Sequence, residues 1–435
     1  MKYSLKTKEI NPKASVFLYL TIVLMGMFLN QSSVMFGINF SFADVFCCVA
    51  LLILIFKNRL LIPCSSIMFF FIVSISVIIT AVFFVPIKFL YSSELQSIIS
   101  DYIKLIAVFL YFIIGYNIVN LGYTNKILQK YCIFALCIAI IGVIFASFNI
   151  KAFSQVLFWR SARLRGLMND PNYFSVLQLA ALIYFTRHRS INVWVKTSAI
   201  LFIVASIFAS GSKTGLITLL CYIIFRAVEH LIKSKGKFNT LRVQIALVVL
   251  LLLTISIASG IFQNIIQYIA TIIPAFARLE IIFTDFNAAV SEGGSCRNAV
   301  WRIALEIIKT SPIVGIGIGT YSGIAEQLFG SSAIAHNTYL QLFAEWGIPL
   351  TLILFCYIFY MVCKATFSKK TTGEINLILR DILIVFLIGS LGISLNNARL
   401  FWLIFGALVF NMNSNKKSLC ETDNVEKREN SSCEV

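Results

Sequence analysis

Long apolar runs alternate with short polar turns along most of this 435-residue chain. Each run has roughly the 17 to 25 residues that a helix needs to cross the hydrocarbon core of a bilayer. The runs lack the alternation of a transmembrane strand, and backbone groups in lipid must hydrogen-bond within their own segment, so only helices fit. The pattern predicts an all-α polytopic membrane protein with helices at 14–30, 41–56, 63–86, 103–120, 131–149, 173–187, 191–209, 214–232, 242–262, 346–363, 376–394 and 398–413.

Twelve crossings place both termini on the same side of the membrane and make residues 1–435 a single integral membrane domain. The long connection at 263–345 is predicted to be a large periplasmic loop of short amphipathic helices that caps an outward-facing cavity. The polar tail at 414–435 is predicted to be disordered. No small-residue cleavage pattern follows the first apolar run, so we expect that helix to be retained.

The composition agrees with a membrane protein and excludes a soluble one. Hydrophobic residues make up 59% of the chain, charged residues only 13%, and the mean hydropathy is +0.88. A soluble domain of this composition would need an apolar surface. The 11 cysteines show neither the spacing of a metal site nor that of a disulfide framework. We therefore expect no metal ion and no other cofactor.

The formal net charge of +17 is a topology signal rather than a sign of nucleic-acid binding. Most basic residues lie in short loops on one side of the predicted helices, as the positive-inside rule describes for the cytoplasmic side. We therefore place both termini in the cytoplasm and expect no nucleic-acid partner. The basic residues on that side include Lys57, Arg59, Lys126, Lys130, Arg187, Arg189, Arg226, Lys364 and the lysines of the tail.

A smaller set of basic residues lies on the opposite, periplasmic side and is concentrated in a few groups. Positive charge that opposes the inside bias is typical of an anion-binding site. The alternative is that these side chains extend toward lipid phosphates at the membrane surface. The set comprises Arg160, Arg163, Arg165, Lys213, Arg297 and Arg302, together with Arg278, Lys309 and Arg399.

His336 is the histidine of the large loop; the other two lie among basic residues of predicted cytoplasmic loops. After it, Asn337, Gln341 and Glu345 recur every fourth residue and share one face of a helix. Histidine is well suited to accept a proton at neutral pH, and no zinc-ligand spacing is nearby, so a base is favoured over a metal ligand. The alternative is that His336 only caps the helix that follows.

Three motifs of small residues predict local structure. The glycines of GIGIG, Gly315 to Gly319, permit tight turns and close approach of another backbone. The GSKTG stretch, Gly211 to Gly215, lacks the glycine that precedes the lysine of a phosphate-binding loop, and it fits close helix packing instead. The NDPN stretch, Asn169 to Asn172, is typical of a capped helix start.

Taken together, these segments resemble the bacterial O-antigen polymerase and ligase family. The resemblance rests on RLRGLMNDPN (163–172), SGSKTG (210–215), and RNAVW, SPIVGIGIGTY and AHNTYLQLFAEWG between 297 and 347. Order, spacing and surrounding helices match over roughly residues 160–365. The resemblance implies a GT-C-type fold in the bacterial inner membrane. It also implies transfer of a glycan from an undecaprenyl-diphosphate carrier to a sugar hydroxyl, without metal or nucleotide.

The resemblance also implies roles for individual residues. The family's loop arginine falls on Arg297 and its loop histidine on His336, whereas the arginine of its Ser-x-Ser-Arg motif is replaced here by Lys213. The two cations would hold the pyrophosphate, and His336 would orient or deprotonate the acceptor hydroxyl. Lysine is a point charge, whereas arginine can bind a phosphate with two parallel donors. Arg163 or Arg165 is therefore the candidate for the two-donor contact that Lys213 cannot make. Further candidates for contact with pyrophosphate or glycan are Arg302, Asn337 and Glu345.

Three functions remain open at this point. The leading one is a surface-polysaccharide polymerase that joins lipid-linked repeat units, with a chain-length regulator as a candidate partner besides the lipid bilayer. The second is a ligase that passes the finished glycan to lipid A–core. The third is a flippase for the same lipid-linked glycan, but transporters usually show internal repeats and charges near the membrane midplane. In this sequence the polar residues gather on one side.

Overall fold

The computed structural model describes residues 12–32, 40–148, 150, 153–160, 163–233, 297–367 and 373–413, with four single residues between 264 and 271. These residues form a helical bundle, in agreement with the predicted all-α membrane fold. A hairpin of two-residue strands, β1 (Phe158–Trp159) and β2 (Arg163–Leu164), accompanies the helices. The helices are α1 (Pro12–Phe28), α2 (Phe42–Phe56), α3 (Cys64–Ile79), α4 (Val85–Phe89), α5 (Leu95–Asn120), α6 (Thr124–Ser147), α7 (Ser154–Leu157), α8 (Pro171–Arg187), α9 (Val193–Ala209), α10 (Lys213–Lys233), α11 (Arg297–Thr310), α12 (Tyr321–Phe329), α13 (Thr338–Phe367), α14 (Glu374–Gly389) and α15 (Arg399–Asn413).

A helix stands at each predicted crossing except 242–262, which lies outside the described residues, as do the tail at 414–435 and most of the loop before residue 297. In the described part, five helices are long and apolar enough to cross a membrane: Cys64–Phe89, where a π-helical turn joins α3 to α4, Leu95–Asn120, Thr124–Ser147, Lys213–Ile232 and Thr338–Phe367. Shorter apolar helices include Val16–Phe28, Phe42–Phe56, Val193–Ala209 and Arg399–Asn413. The count of twelve crossings, the GT-C fold and the single-domain organisation stay predictions.

Two of the predicted helix starts are wrong by about two turns. Helix α5 begins at Leu95 rather than at 103, and α6 begins at Thr124 rather than at 131. Helix α13 starts at Thr338 but is broken at Gly347, with φ +77°, so its second part begins close to the predicted 346. Polar residues interrupt the apolar pattern in the first turns of α5 and α13, such as Asp101 and Glu345. Their side chains line a cavity inside the bundle instead of facing lipid, so the helix continues through them.

Helix α8 is the central element of the bundle. Its residues from Phe174 to Phe185 are all buried, as expected for a helix that is apolar on nearly every side. It packs against α6, α9, α10 and α14. We call the end of the bundle where α8, α10 and α13 begin the cavity face. The start of α8 therefore reaches this face from the middle of the molecule.

The glycine-alternating loop before α12 is held tightly against other backbone segments. Gly315 has φ +67°, and a Cβ there would lie 2.6 Å from the Ala344 carbonyl oxygen. Gly317 has φ +73°, and a Cβ there would lie 2.4 Å from the Ala81 nitrogen. The Ile316 N–H donates to the Ala344 carbonyl at 2.8 Å. The predicted tight turns and close approach are confirmed, and the loop anchors the first turns of α13.

A buried ion network ties α8, α10 and α14 together at the end opposite the cavity face. Arg187, the last residue of α8, contacts Glu229 at 2.8 Å and Asp381 at 2.7 Å. Arg380 donates to Glu229 at 2.7 Å and to Asp381 at 2.6 Å, and both residues of the 380–381 pair are fully buried. Each charge is stabilised by an opposite one, as a buried charge requires. The network therefore fixes the relative positions of the three helices.

Candidate functional site

A cavity of about 460 Å³ opens at the cavity face and gathers four of the nine periplasmic basic residues that the sequence singles out, together with His336. We call it the basic cavity. Its charged side chains and its histidine, in the described part of the chain, are Arg160, Arg163, Asp170, Lys213, Arg297 and His336. These residues come from five separate segments. The structure thus brings Lys213, Arg297 and His336 together, as the sequence predicts.

Helix ends add to the positive potential of the basic cavity. Lys213 is the first residue of α10 and Arg297 the first residue of α11. Asp170 directly precedes α8, and His336 lies two residues before α13. Four helix N-termini thus converge on the cavity, and each turns the positive end of its dipole toward it. This arrangement suits an anion such as a phosphate.

The surroundings favour an anion over a metal ion. Basic side chains and helix N-termini repel a cation, and Asp170 is the one carboxylate among the described lining residues. No group of three or more His, Cys, Asp or Glu side chains suited to a metal ion occurs in the described ranges.

Arg297 combines one fixed donor with one unused donor. Its Nη2 donates to the Thr214 Oγ1 at 2.9 Å, which holds the side chain against the start of α10. Its Nε is buried and has no acceptor among the described residues. Burial lowers the pKa of Arg297 below its ordinary value, against the opposing influence of Asp170. An unsatisfied buried donor on a cation is costly, and an incoming anion would satisfy it.

His336 lies between two cavities and has a left-handed backbone with φ +47°. On one side it lines the basic cavity, and on the other a cavity of about 420 Å³ that includes Arg302 and Glu306. Burial lowers the pKa of His336, Asp170 raises it, and Arg297 lowers it, with a net shift below the ordinary value. The imidazole is therefore neutral at pH 7 and able to accept a proton.

The alternative reading of His336 as the helix cap is wrong, because Asn337 caps α13. The Asn337 Oδ1 accepts from the N–H groups of Tyr339 at 3.0 Å and Leu340 at 3.1 Å, the pattern of an N-cap. The Asn337 Nδ2 donates to the Leu391 carbonyl at 3.1 Å. These contacts give Asn337 a structural role and place its amide away from the basic cavity, although the sequence suggests it as a substrate contact.

Of the arginine cluster, two members reach the basic cavity. Arg163 lines it but is also engaged by protein: its Nε donates to the Ser210 carbonyl at 2.9 Å, so it holds the turn that presents Lys213. Arg160, with φ +49°, lines the cavity as well. Arg165 lies outside this lining and donates to the carbonyls of Val156 and Gln155. The sequence suggests Arg165 as a pyrophosphate contact, but in the structure Arg160 lines the cavity instead.

The other two candidate contacts lie apart from the basic cavity. Arg302 is exposed and lines the 420 Å³ cavity on the far side of His336. Glu345 is buried and lines a third cavity of about 650 Å³, where the Gln341 Nε2 donates to its carboxylate at 3.0 Å. The predicted shared face of Gln341 and Glu345 is confirmed by this contact.

Asp170 is a site residue that the sequence indicates only as a helix cap. Its carboxylate accepts from the N–H groups of Asn172 at 2.7 Å and Tyr173 at 3.0 Å, which confirms the predicted cap of α8. It also lines the basic cavity, and its charge acts on both His336 and Arg297. Its position seven residues after Arg163, inside the motif that bears the family resemblance, is the signal that could have identified it.

Comparison with known families agrees with the geometry. Residues 198–355 match the family model described as O-antigen ligase. This match confirms the resemblance to the O-antigen polymerase and ligase family, and it includes Lys213, Arg297 and His336. The residues of the arginine cluster and Asp170 lie before the matched region. No curated protein matches the chain.

Proposed function

We propose that the protein is a glycosyltransferase that moves a glycan from an undecaprenyl-diphosphate carrier to a sugar hydroxyl, and that it acts as a surface-polysaccharide polymerase. The observation that carries the proposal is the basic cavity, where a neutral histidine stands beside Arg297 and Lys213 at one end of a membrane bundle. The O-antigen ligase match supports the same class of enzyme. We place the cavity face in the periplasm of the inner membrane and both termini in the cytoplasm.

The donor's diphosphate occupies the basic cavity in this proposal. Arg297 offers its unused Nε, Lys213 and Arg160 add positive charge, and the positive ends of the helix dipoles add to the potential. Negative charge grows on the diphosphate as the bond to the sugar breaks. Donors and charges already aimed at that position stabilise the transition state without rearranging.

His336 handles the proton of the acceptor. The acceptor hydroxyl oxygen attacks the anomeric carbon of the donor sugar, the bond from that carbon to the diphosphate oxygen breaks, and the diphosphate leaves with the electron pair. The hydroxyl proton passes to an unprotonated ring nitrogen of His336, which is neutral because its pKa is lowered. Asp170 stabilises the imidazolium that forms and thereby assists the transfer.

The ligase is the second candidate, and the match to the O-antigen ligase family model favours it. The two functions differ in the acceptor, so purified protein should be given lipid-linked donor with either a lipid-linked repeat unit or lipid A–core. Extension of the repeat unit supports the polymerase, and transfer to lipid A–core alone overturns it. In a deletion strain, single repeat units on the core indicate a lost polymerase, whereas polymer retained on the carrier indicates a lost ligase.

The Asp170→Asn variant should move the acid limb of the pH–rate profile to lower pH. The neutral form of His336 is the active one, so kcat falls as pH drops through its pKa, below about 6.5. Asp170 raises that pKa, so its removal lowers the pKa further and weakens the base. We expect a limb at lower pH and a lower plateau rate, measured as kcat from pH 5 to 8.

Asparagine caps helices about as well as aspartate, so Asp170→Asn should keep its melting temperature. Glu374→Gln is the matched control, because it also removes one carboxylate but at the opposite end of the bundle. An unmoved limb in Asp170→Asn, or an equal shift in Glu374→Gln, would show that Asp170 does not act on the base.

A further inference from the structure

The 650 Å³ cavity adjoins the basic cavity but has a different chemical character; we call it the polar cavity. It lies between the first turns of α5, the start of α12 and the first turns of α13. Ile334 and Ser394 line both cavities, so the two meet at this wall. Its volume falls in the range of about 300 to 1,000 Å³ that is usual for small-molecule sites.

Three polar atoms that line the polar cavity have no hydrogen-bond partner in the described part of the chain. They are the Tyr321 hydroxyl, the Gln341 Oε1 and the Ser394 hydroxyl. The Tyr321 side chain is only 3% exposed, so solvent contact does not account for it. A buried polar atom left unpaired costs about 1 to 3 kcal/mol, and three at one cavity indicate a ligand that supplies the missing partners.

The charge of the polar cavity is opposite to that of the basic cavity. Its described lining has the carboxylates of Glu94 and Asp101 against the single base Lys104, which pairs with Asp101 at 2.7 Å. The one acidic group in excess disfavours a diphosphate. It suits a sugar, whose hydroxyls donate to carboxylate and amide oxygens, and it tolerates an amino group.

Two further features fit a sugar. Trp346 and Trp402 are among the lining residues and offer apolar surface to the C–H face of a ring. Burial, and to a lesser degree the Glu345 carboxylate, raise the pKa of Tyr321, so its hydroxyl remains a donor at neutral pH. The cavity thus combines donors, acceptors and aromatic surface.

We propose that the polar cavity is the acceptor subsite and binds an uncharged or amino sugar of the acceptor glycan through Tyr321, Gln341 and Ser394. This inference rests on the proposed transfer reaction. In a direct displacement the attacking oxygen approaches the anomeric carbon from the side opposite the leaving group. With the diphosphate in the basic cavity, the acceptor comes from the neighbouring space across the wall at Ile334 and Ser394.

Removal of a single unpaired hydroxyl tests the assignment. Tyr321→Phe and Ser394→Ala should each raise the KM for the acceptor about 5- to 30-fold, in the range of one lost hydrogen bond. The kcat and the KM for the lipid-linked donor should stay within about twofold. The melting temperature should stay the same or rise, because a purely structural effect of deleting an unpaired buried hydroxyl is neutral or stabilising.

Tyr131→Phe is the matched control. Its hydroxyl is also buried, but it donates to the Leu177 carbonyl at 2.8 Å, away from the cavity. This variant should lose stability and keep both KM values. A rise in the donor KM alone in Tyr321→Phe would place the donor glycan in the polar cavity and overturn the acceptor assignment, as would unchanged KM values for both substrates.

A binding measurement separates this inference from the proposed activity. The probe is the free repeat-unit oligosaccharide released by mild acid from the strain's own surface polysaccharide, and the readout is tryptophan fluorescence, because Trp346 and Trp402 line the cavity. We expect saturable quenching in the wild type that Tyr321→Phe weakens. If no assay detects transfer but Tyr321→Phe still weakens oligosaccharide binding, the sugar site is supported and the proposed reaction is wrong. Equal binding by wild type and Tyr321→Phe overturns the sugar site.

Discussion

Replacing His336 with glutamine is expected to lower kcat by about 10²- to 10⁴-fold, the usual contribution of a general base. Glutamine keeps a hydrogen-bonding group near the acceptor but cannot accept a proton. Asparagine tests the backbone, because it tolerates the left-handed conformation that His336 adopts at φ +47°. We expect His336→Asn to fold normally and to be as inactive as His336→Gln and His336→Ala.

The loss should not extend to donor binding. The groups assigned to the diphosphate, Arg297 and Lys213, are untouched in these variants, so the Kd for lipid-linked donor should stay near the wild-type value. His230→Gln is the matched control, a histidine in α10 far along the helix from Lys213. Near-wild-type turnover in His336→Asn or His336→Gln would show that His336 is not the general base and has only a positioning role. Loss of donor binding in all three would instead show that the residue organises the cavity.

The site residues that could be predicted are charged or titratable side chains that stand out in an otherwise apolar membrane chain. Lys213 stands at the start of an apolar helix, and Arg297 and His336 interrupt a membrane chain on the side where basic residues are rare. That these three residues share one cavity depends on the tertiary structure. The sequence indicates it only through the family resemblance, which assigns all three to one site. The position of Asp170 was visible too, but its role as a cap explained it fully at the level of sequence.

The rest depends on which helix faces meet, and hydrophobic periodicity does not contain that information. Asp101 interrupts the apolar pattern of α5 and shifts its predicted start to 103, although its side chain lines a cavity inside the bundle. Arg380 and Asp381 sit within an apolar helix and find their partners on α8 and α10, more than 150 residues away in the chain. Such pairs are predicted only when neighbouring helices are already known.

Arg297 is expected to supply the main contact to the donor's diphosphate. Arg297 is half-buried, and bound diphosphate would bury the contact between them. Truncating such a charge costs about 2 to 5 kcal/mol, so Arg297→Ala should weaken donor binding by about 30- to 5,000-fold. Arg297→Lys should recover only part of the loss, because lysine cannot make two parallel contacts to a phosphate. Lys213→Arg should be tolerated or improve binding, since it places a guanidinium group with two parallel donors at the start of α10. The measurement is the Kd for lipid-linked donor together with the KM in the transfer assay.

Arg302→Ala provides the control on the same helix. Arg302 is also an arginine of α11, but it is exposed and lines the 420 Å³ cavity on the other side of His336. If α11 attracts the donor only through general positive charge, the two alanine variants should weaken binding equally, and added salt should remove the difference from wild type. If Arg297 grips the diphosphate with its unused Nε, only Arg297→Ala should show the large loss, and the loss should persist at high salt. Unchanged donor affinity in Arg297→Ala would leave the diphosphate without its main contact and would require a different site for the donor.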